Sequence, residues 1–351
     1  MGQDVNIIQF VNSDGQQRVG IVNGNEAADL TAVVPEISGT VQLALSAIRE
    51  GCSLADKAAQ LAQGAPCVDY AALWNANFGA ESGYLLPPLT GPSNHQTFIT
   101  GTGLTHTGSM ESRDKMHSDE AETVDEMPKT DSARMFDMGL QGGKPDDESR
   151  GVAPEWFYKG NGLNLRSHRQ DLEIPAFALD GGEEPELVGC YLIDDNGVPR
   201  RLGFAIGNEW SDHATETINY LYLAPSKLRA CAVGPELVVG HGFENLDVRC
   251  SVTRDDDLIY DSGDLKSGEQ YMCHSLRNCE DHHFKYPLHR EPGDVHLHFF
   301  GTSKLSHSER DWKYQAGDEI RVTVADFSRP LINVVCDGDP TLKSPVRVET
   351  C

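Results

Sequence analysis

Residues 183–210 read EEPELVGCYLIDDNGVPRRLGFAIGNEW. Two apolar runs, ELVGCYLID and RRLGFAIG, flank Asp195-Asn196-Gly197, a strong signal for a tight hairpin. Acidic residues stand at both open ends. In a strand, Glu184 and Glu186 point the same way, because side chains alternate with period two. Two carboxylates on one face repel unless a cation or a proton lies between them. A hard divalent ion such as Mg²⁺ takes oxygen ligands from such a pair. Taken alone, the segment reads more readily as an exposed acidic turn. Glu209 directly follows Gly207-Asn208 at the end of the second run and precedes a helix-like stretch, where sites are commonly built.

Outward from this hairpin the chain is rich in strand-like runs. ELVVG at 236–240, LDVRCSVTR at 246–254, DVHLHFFG at 294–301, EIRVTVADF at 319–327 and LINVV at 331–335 are alternating or β-branched, with Gly, Pro or Asp between them. Residues 5–34 read as a short meander. Residues 40–64 read as two helices separated by Gly51, with Val41, Leu45 and Ile48 and then Leu54, Ala58 and Leu61 at helical spacing. Residues 212–223 suggest another short helix. No sustained strand–helix–strand alternation occurs, which excludes a doubly wound parallel sheet. The expected class is α+β, mostly β. A boundary is expected near residue 90, giving an N-terminal α+β domain (1–90) and a catalytic domain (91–351). Residues 107–153, with the acidic run DEAETVDE, read as a long loop with one short helix, either a lid or a solvated insertion.

Composition narrows the function. The 351 residues carry 29 Lys and Arg against 54 Asp and Glu, a formal net charge of −25. Nucleic acids and anionic membranes need clustered positive charge, so neither is expected as a partner. No apolar run approaches a membrane span, and MGQDVNIIQF lacks the basic and apolar regions of a secretory signal. Nine cysteines, an odd number without a CxxC pair, suit free thiols in a reducing cytoplasm.

Other segments could contribute chemistry. Lys227 follows a Pro-Ser turn, and a Lys beside three carboxylates can bind an acid or neutralise a developing enolate. His106 and Glu111 lie on the Gly-rich stretch GTGLTHTGSMESRD, and His is the side chain best suited to proton transfer near neutral pH. Gly301-Thr302-Ser303 ends a strand, and its amides and hydroxyls suit an anion. His282, His283, His296 and His298 invite a zinc reading but form no zinc-ligand array; His296 and His298 share one strand face.

The order of these segments resembles the fumarylacetoacetate hydrolase superfamily over residues 98–351. GLTHTGSME (103–111) is similar to its Gly-x-Asn-Tyr-x-x-His loop, PEWFYKGNG (154–162) to its Phe-x-Lys segment and EPELVG (184–189) to its Glu-x-Glu metal motif. IGNEWSDH (206–213) resembles the Asn-Asp metal motif, and YLAPSK with the following VGP resembles the Lys segment. PGDVHLHFFGTS (292–303) and QAGDEIRVTVADFSRPLINVV (315–335) resemble the closing strands. Glu209 replaces the usual Asp. Thr105, His106 and Ser109 replace the usual Asn, Tyr and His, so the role of His106 rests on its chemistry. Cys231 lies near a common Thr.

Within the superfamily the chain looks most like the sugar-acid branch that dehydrates 2-keto-3-deoxypentonates. The resemblance implies a stacked β-sheet catalytic fold, a homodimer and Mg²⁺ (or Mn²⁺) held by Glu184, Glu186 and Glu209. It implies a small 2-keto acid as substrate. Lys227, Gly301 and Thr302 would bind its keto-acid end, with Arg113 a further candidate. His106 and Glu111 would move the protons, giving 2,5-dioxopentanoate. A C–C hydrolase of a 2,4-diketo acid needs the same metal and the same enolate. A catalytically silent sugar-acid binder is the third alternative.

Overall fold

The computed structural model describes residues 4–110, 130–146 and 148–351. The acidic run 119–126 of the expected lid loop and two predicted site residues, Glu111 and Arg113, lie outside them.

Among the described residues, eighteen strands build two sheets. The first nine are β1 (Val5–Val11), β2 (Gln17–Asn23), β3 (Glu26–Asp29), β4 (Cys67–Asp69), β5 (Tyr84–Leu86), β6 (Thr97–Gly103), β7 (Glu155–Asn161), β8 (Leu165–Arg166) and β9 (Leu172–Ile174). The rest are β10 (Pro185–Ile193), β11 (Pro199–Asn208), β12 (Cys231–Val239), β13 (Leu246–Arg254), β14 (Asp257–Asp261), β15 (Leu265–Ser267), β16 (Val295–Phe299), β17 (Glu319–Val324) and β18 (Leu331–Asp337). The large sheet runs β4-β3-β2-β1-β12-β11-β10-β16-β6-β7, with β5 beside β1 and β8 beside β12. The smaller sheet runs β14-β13-β17-β18-β9, with β15 beside β13. Antiparallel pairing of β1 with β12 makes the N-terminal meander part of the large sheet.

β10 is buried along its whole length, because both of its faces are covered. Leu187, Tyr191 and Ile193 face the smaller sheet, packing with Val248, Val252, Ile320 and Val322. Val188, Cys190 and Leu192 face the opposite way, into a core shared with Val41, Leu43 and Ala44. A strand covered on both sides must be apolar throughout, which is why ELVGCYLI reads as a continuous run.

The helices Thr40–Glu50 and Leu54–Ala62 form as their spacing predicts. Gly51 ends the first at φ +72°, a left-handed value that glycine adopts without steric cost. Ser53 caps the second by accepting from the Asp56 N–H. The predicted helix at 212–223 is shorter, His213–Ile218. The stretch expected to hold one short helix contains a twelve-residue one, Asp131–Gly142, capped by Thr130.

Candidate active site

The hairpin sets the site through one irregularity. Tyr191 pairs with Arg201, but Cys190 pairs with Gly203, so Leu202 is an extra residue on β11. This bulge shifts the register by one residue toward the open end. Pro185 therefore pairs with Asn208, and Glu184 comes to lie opposite Glu209. The Glu209 N–H donates to the Glu184 carbonyl (2.9 Å), and the Glu184 N–H donates to Asn208 Oδ1 (3.2 Å). Glu184 and Glu186 share the face that also carries Val188. Their carboxylates and that of Glu209 present oxygens within 4.8 Å of one another, all three buried.

Two buried lysines face this cluster. Lys227, from the helix Leu223–Lys227, bonds Glu184 and lies 3.2 Å from Glu209. Lys159, from β7, lies 3.6 Å from Glu209 and donates to the carbonyls of Trp210 (2.6 Å) and Lys227 (3.1 Å). Lys159 thus ties the Glu209 segment to the Lys227 helix. His213 Nε2 lies 2.9 Å from the Glu184 oxygen that Lys227 holds. The Gly301 N–H donates to Glu186 (2.7 Å), bringing the Gly301-Thr302 turn to the cluster.

Three carboxylates against two ammoniums leave an excess of buried negative charge. Burial pushes Glu184 up, but Lys227 and His213 more than reverse it and hold it below the ordinary carboxylate range. Burial, then the charges of Glu209 and Glu184, push Glu186 well up. Glu209 is also raised, by burial, against the pull of Lys227. Glu186 Oε1 is buried without a hydrogen-bond partner among the described residues, whereas Glu209 Oε1 meets the ammoniums of Lys227 (3.2 Å) and Lys159 (3.6 Å). An orphaned Glu186 oxygen in an acidic, buried cluster fits a hard divalent cation, which would supply both the missing partner and the missing charge. Among the described residues this is the one group of three or more acidic, His or Cys side chains placed to hold a metal.

β7 extends the site away from the cluster. Its buried residues include Glu155 and Phe157, one strand period (about 6.6 Å) apart, and Lys159, the extra residue of a bulge where Tyr158 pairs with Thr100 and Gly160 with Ile99. Lys227 Nζ lies 5.0 Å from the Phe157 ring centroid, a cation–π arrangement. The facing residues of β6 are glycines because nothing larger fits. A Cβ on Gly101 would lie 2.4 Å from the Phe157 ring, and one on Gly103 would lie 1.8 Å from Glu155 Oε2. Glu155 is buried and accepts from the Tyr220 hydroxyl (2.7 Å).

The remaining sequence candidates are placed as follows. His106 is buried, and its hydrogen-bonded partner among the described residues is Thr105. Thr105 donates its hydroxyl hydrogen to the Phe300 carbonyl (2.7 Å), so it accepts from His106 Nδ1 (2.9 Å). That fixes the tautomer: Nε2 is a bare acceptor, buried and without a partner among the described residues. Burial, assisted by Lys144, lowers the ring's pKa to about 4, so it is neutral at pH 7. No hydrogen bond joins it to the three carboxylates. Thr302 is buried with its hydroxyl turned back onto the Lys304 carbonyl (2.8 Å). His283, His296 and His298 pack as a histidine layer: His283 bonds His296, while Thr100 and Thr102 bracket His298.

Sequence reasoning missed Glu155, and it singled out Lys159 and His213 only within longer motifs. The alternation of EWFYKGN was the available signal, but it reads inverted: polar Glu155 and Lys159 point inward, while Trp156 and Tyr158 are partly exposed.

No family model matches the chain. A probable 2-keto-3-deoxyxylonate dehydratase of Haloferax volcanii is 27% identical over 128 residues, which cover 35% of this chain and 42% of that protein. The matched stretch thus spans less than half of the relative. The structure of a 2-keto-3-deoxy-D-arabinonate dehydratase complexed with magnesium and 2,5-dioxopentanoate superposes with a TM-score of 0.67 at 18% identity, over 95% of this chain and 99% of that one. A fumarylacetoacetate hydrolase of Exiguobacterium antarcticum superposes with a TM-score of 0.59 at 16% identity, again over 95% and 99%. The fold is therefore the mostly β, fumarylacetoacetate hydrolase-like α+β fold that the motif order implied.

Proposed function

We propose that the chain is a metal-dependent dehydratase converting a 2-keto-3-deoxypentonate to 2,5-dioxopentanoate. The observation that carries this reading is the buried cluster of three carboxylates, with an orphaned Glu186 oxygen, set against two buried lysines. Partial sequence similarity to a probable 2-keto-3-deoxyxylonate dehydratase points to the same substrate class. Glu184, Glu186 and Glu209 would hold Mg²⁺ or Mn²⁺, which would polarise the C2 carbonyl as a Lewis acid.

This chain's own residues account for the other requirements. Lys227 offers positive charge beside the acid end, and the Gly301-Thr302 turn is held there by Glu186. The reaction removes a proton from C3 and expels the C4 hydroxyl as water. The resulting C3–C4 double bond moves to C4–C5, and the enol becomes the C5 aldehyde. A base and an acid are needed. His106 Nε2 is a bare acceptor suited to the first task. Glu155 lies at the far end of the face that carries Lys159, where it would meet the C4–C5 end and protonate the departing hydroxyl. Tyr220 orients it. Glu111 and Arg113 remain candidates for proton transfer and for binding the acid end.

A cytoplasmic homodimer completes the reading. It is supported by nine free cysteines and by the exposed apolar side chains Ile218, Leu221 and Tyr222. No helix among the described residues is long and apolar enough to cross a membrane. The test is a proton NMR time course with 2-keto-3-deoxypentonate, with Mg²⁺ and with EDTA. An aldehyde or hydrate signal that grows only with Mg²⁺ is expected. No turnover of either C4 stereoisomer would refute the reading and direct the assay to an acylpyruvate.

A further inference from the structure

Glu183 is a buried carboxylate that the proposed chemistry does not use. It precedes Glu184 and points to the opposite side of the sheet, toward Tyr314. It is 1% exposed. Its Oε1 accepts from the Ser306 N–H at 2.6 Å, and its Oε2 accepts from the Ser306 hydroxyl at 2.7 Å and the Tyr314 hydroxyl at 2.6 Å.

The partners matter because of where they lie. Glu186, three residues on, accepts from the Gly301 N–H at 2.7 Å. The turn 301–306 is therefore fastened at both ends to the same four-residue stretch that carries two of the cluster's carboxylates. Gly301 is tied through Glu186 on one side of the sheet, and Ser306 through Glu183 on the other. Thr302 lies between the two fastenings. Arg310 continues the attachment, donating to Asp180 at 3.0 Å and to the Gly181 carbonyl at 2.7 Å.

We propose that Glu183 is a positioning residue that fixes the Gly301–Ser306 turn against the carboxylate cluster and so sets the enzyme's affinity for the keto-acid end of its substrate. This rests on the reading of that turn as the keto-acid subsite. Glu183 faces away from the cluster, so its loss leaves the metal ligands in place. Binding of the acid end is the same in the ground state and the transition state, so a displaced turn raises KM and spares kcat.

The test uses the full chain with Mg²⁺ and the variants Glu183→Ala and Glu183→Gln. Four readouts are needed: the Mg²⁺-induced rise in Tm, pyruvate affinity by calorimetry, KM and kcat, and amide exchange across 301–306. For Glu183→Ala we expect an unchanged Mg²⁺ response and a kcat close to wild type. KM should rise about tenfold or more, since small misplacements of a binding group are costly. Pyruvate affinity should fall in parallel, and exchange across the turn should quicken. Glu183→Gln, which keeps an accepting oxygen for the Ser306 N–H, should recover most of the loss. If Glu183→Ala does not fold, Tyr314→Phe removes one of the three donors and should give a smaller KM rise of the same kind. Unchanged KM and exchange would overturn the proposal, as would a joint fall of kcat, Mg²⁺ response and affinity. If the wild-type protein binds no 2-keto acid, the function reading fails, and the exchange result alone decides whether Glu183 holds the turn.

Discussion

Glu184 and Glu186 stand two residues apart in one cluster, yet replacing each by Gln should have opposite consequences for the metal-free protein. Glu184 carries the bonds to Lys227 and His213. Neutralising it leaves Lys227 less well compensated, and breaking a buried ion pair costs about 3–5 kcal/mol. Glu186 has no cation of its own, and burial with two like charges pushes its carboxyl well up. In Glu186→Gln the amide oxygen still accepts from the Gly301 N–H, and the amide nitrogen donates toward the neighbouring carboxylates. Relief equivalent to one pKa unit is about 1.4 kcal/mol. Unfolding entropy of about 2.1 cal/mol/K per residue over 351 residues makes each kcal/mol worth about 1.4 °C in Tm. Without metal, Glu184→Gln should thus lower Tm by about 4–7 °C, while Glu186→Gln should hold it or raise it by about 2 °C. Mg²⁺ at a hundred times its Kd stabilises the wild type by about 2.7 kcal/mol, a rise of about 4 °C. Both variants should lose that rise. The assay is differential scanning fluorimetry with EDTA and with a Mg²⁺ series. A Glu186→Gln protein that keeps the full Mg²⁺ response, or that is destabilised as much as Glu184→Gln in EDTA, would refute the reasoning.

Two further outcomes test the site and its surroundings. Gly103→Ala places a methyl 1.8 Å from Glu155 Oε2 and must displace that carboxylate; kcat should fall about a hundredfold, as a misplacement of about 1 Å does, while the Mg²⁺-induced Tm rise persists, and an unchanged kcat would remove Glu155 from the reaction. His168, His296 and His298 are lowered to about 3, chiefly by burial. The unfolded chain takes up their protons as pH falls through about 6.5 and the folded chain does not, so their stabilising contribution is complete above 6.5 and is lost progressively toward 3. Each should cost about 1 kcal/mol over the first pH unit below 6.5, approaching about 1.4 kcal/mol per unit below that. Tm in saturating Mg²⁺ should drop by about 4 °C from pH 6.5 to 5.5 on account of these three, and a flat profile would count against buried neutral imidazoles.

Much of the fold is local and was legible in the residues. β1 to β3, β13 and the two helices about Gly51 follow from alternation, helical spacing and turn chemistry. β7 was not legible as a strand, because its side chains are sorted by the site rather than by hydrophobicity. Lys159 and Glu155 are tolerated inside only because Glu209, carbonyl oxygens and Tyr220 meet them there. No pattern within seven residues announces partners that lie 50 to 70 residues away.

The carboxylate cluster divides in the same way. That Glu184 and Glu186 share a face is dictated by the two-residue period of any strand, and the sequence alone determines it. That Glu209 joins them is a matter of register. A hairpin counted straight back from its turn would set Asn208 opposite Glu184. The bulge at Leu202 inserts one residue and sets Glu209 there instead. A one-residue slip exchanges the faces of every side chain beyond it. Leu202 is held in place by packing in the core shared with the N-terminal helices, so the third carboxylate owes its position to contacts far from the hairpin in sequence.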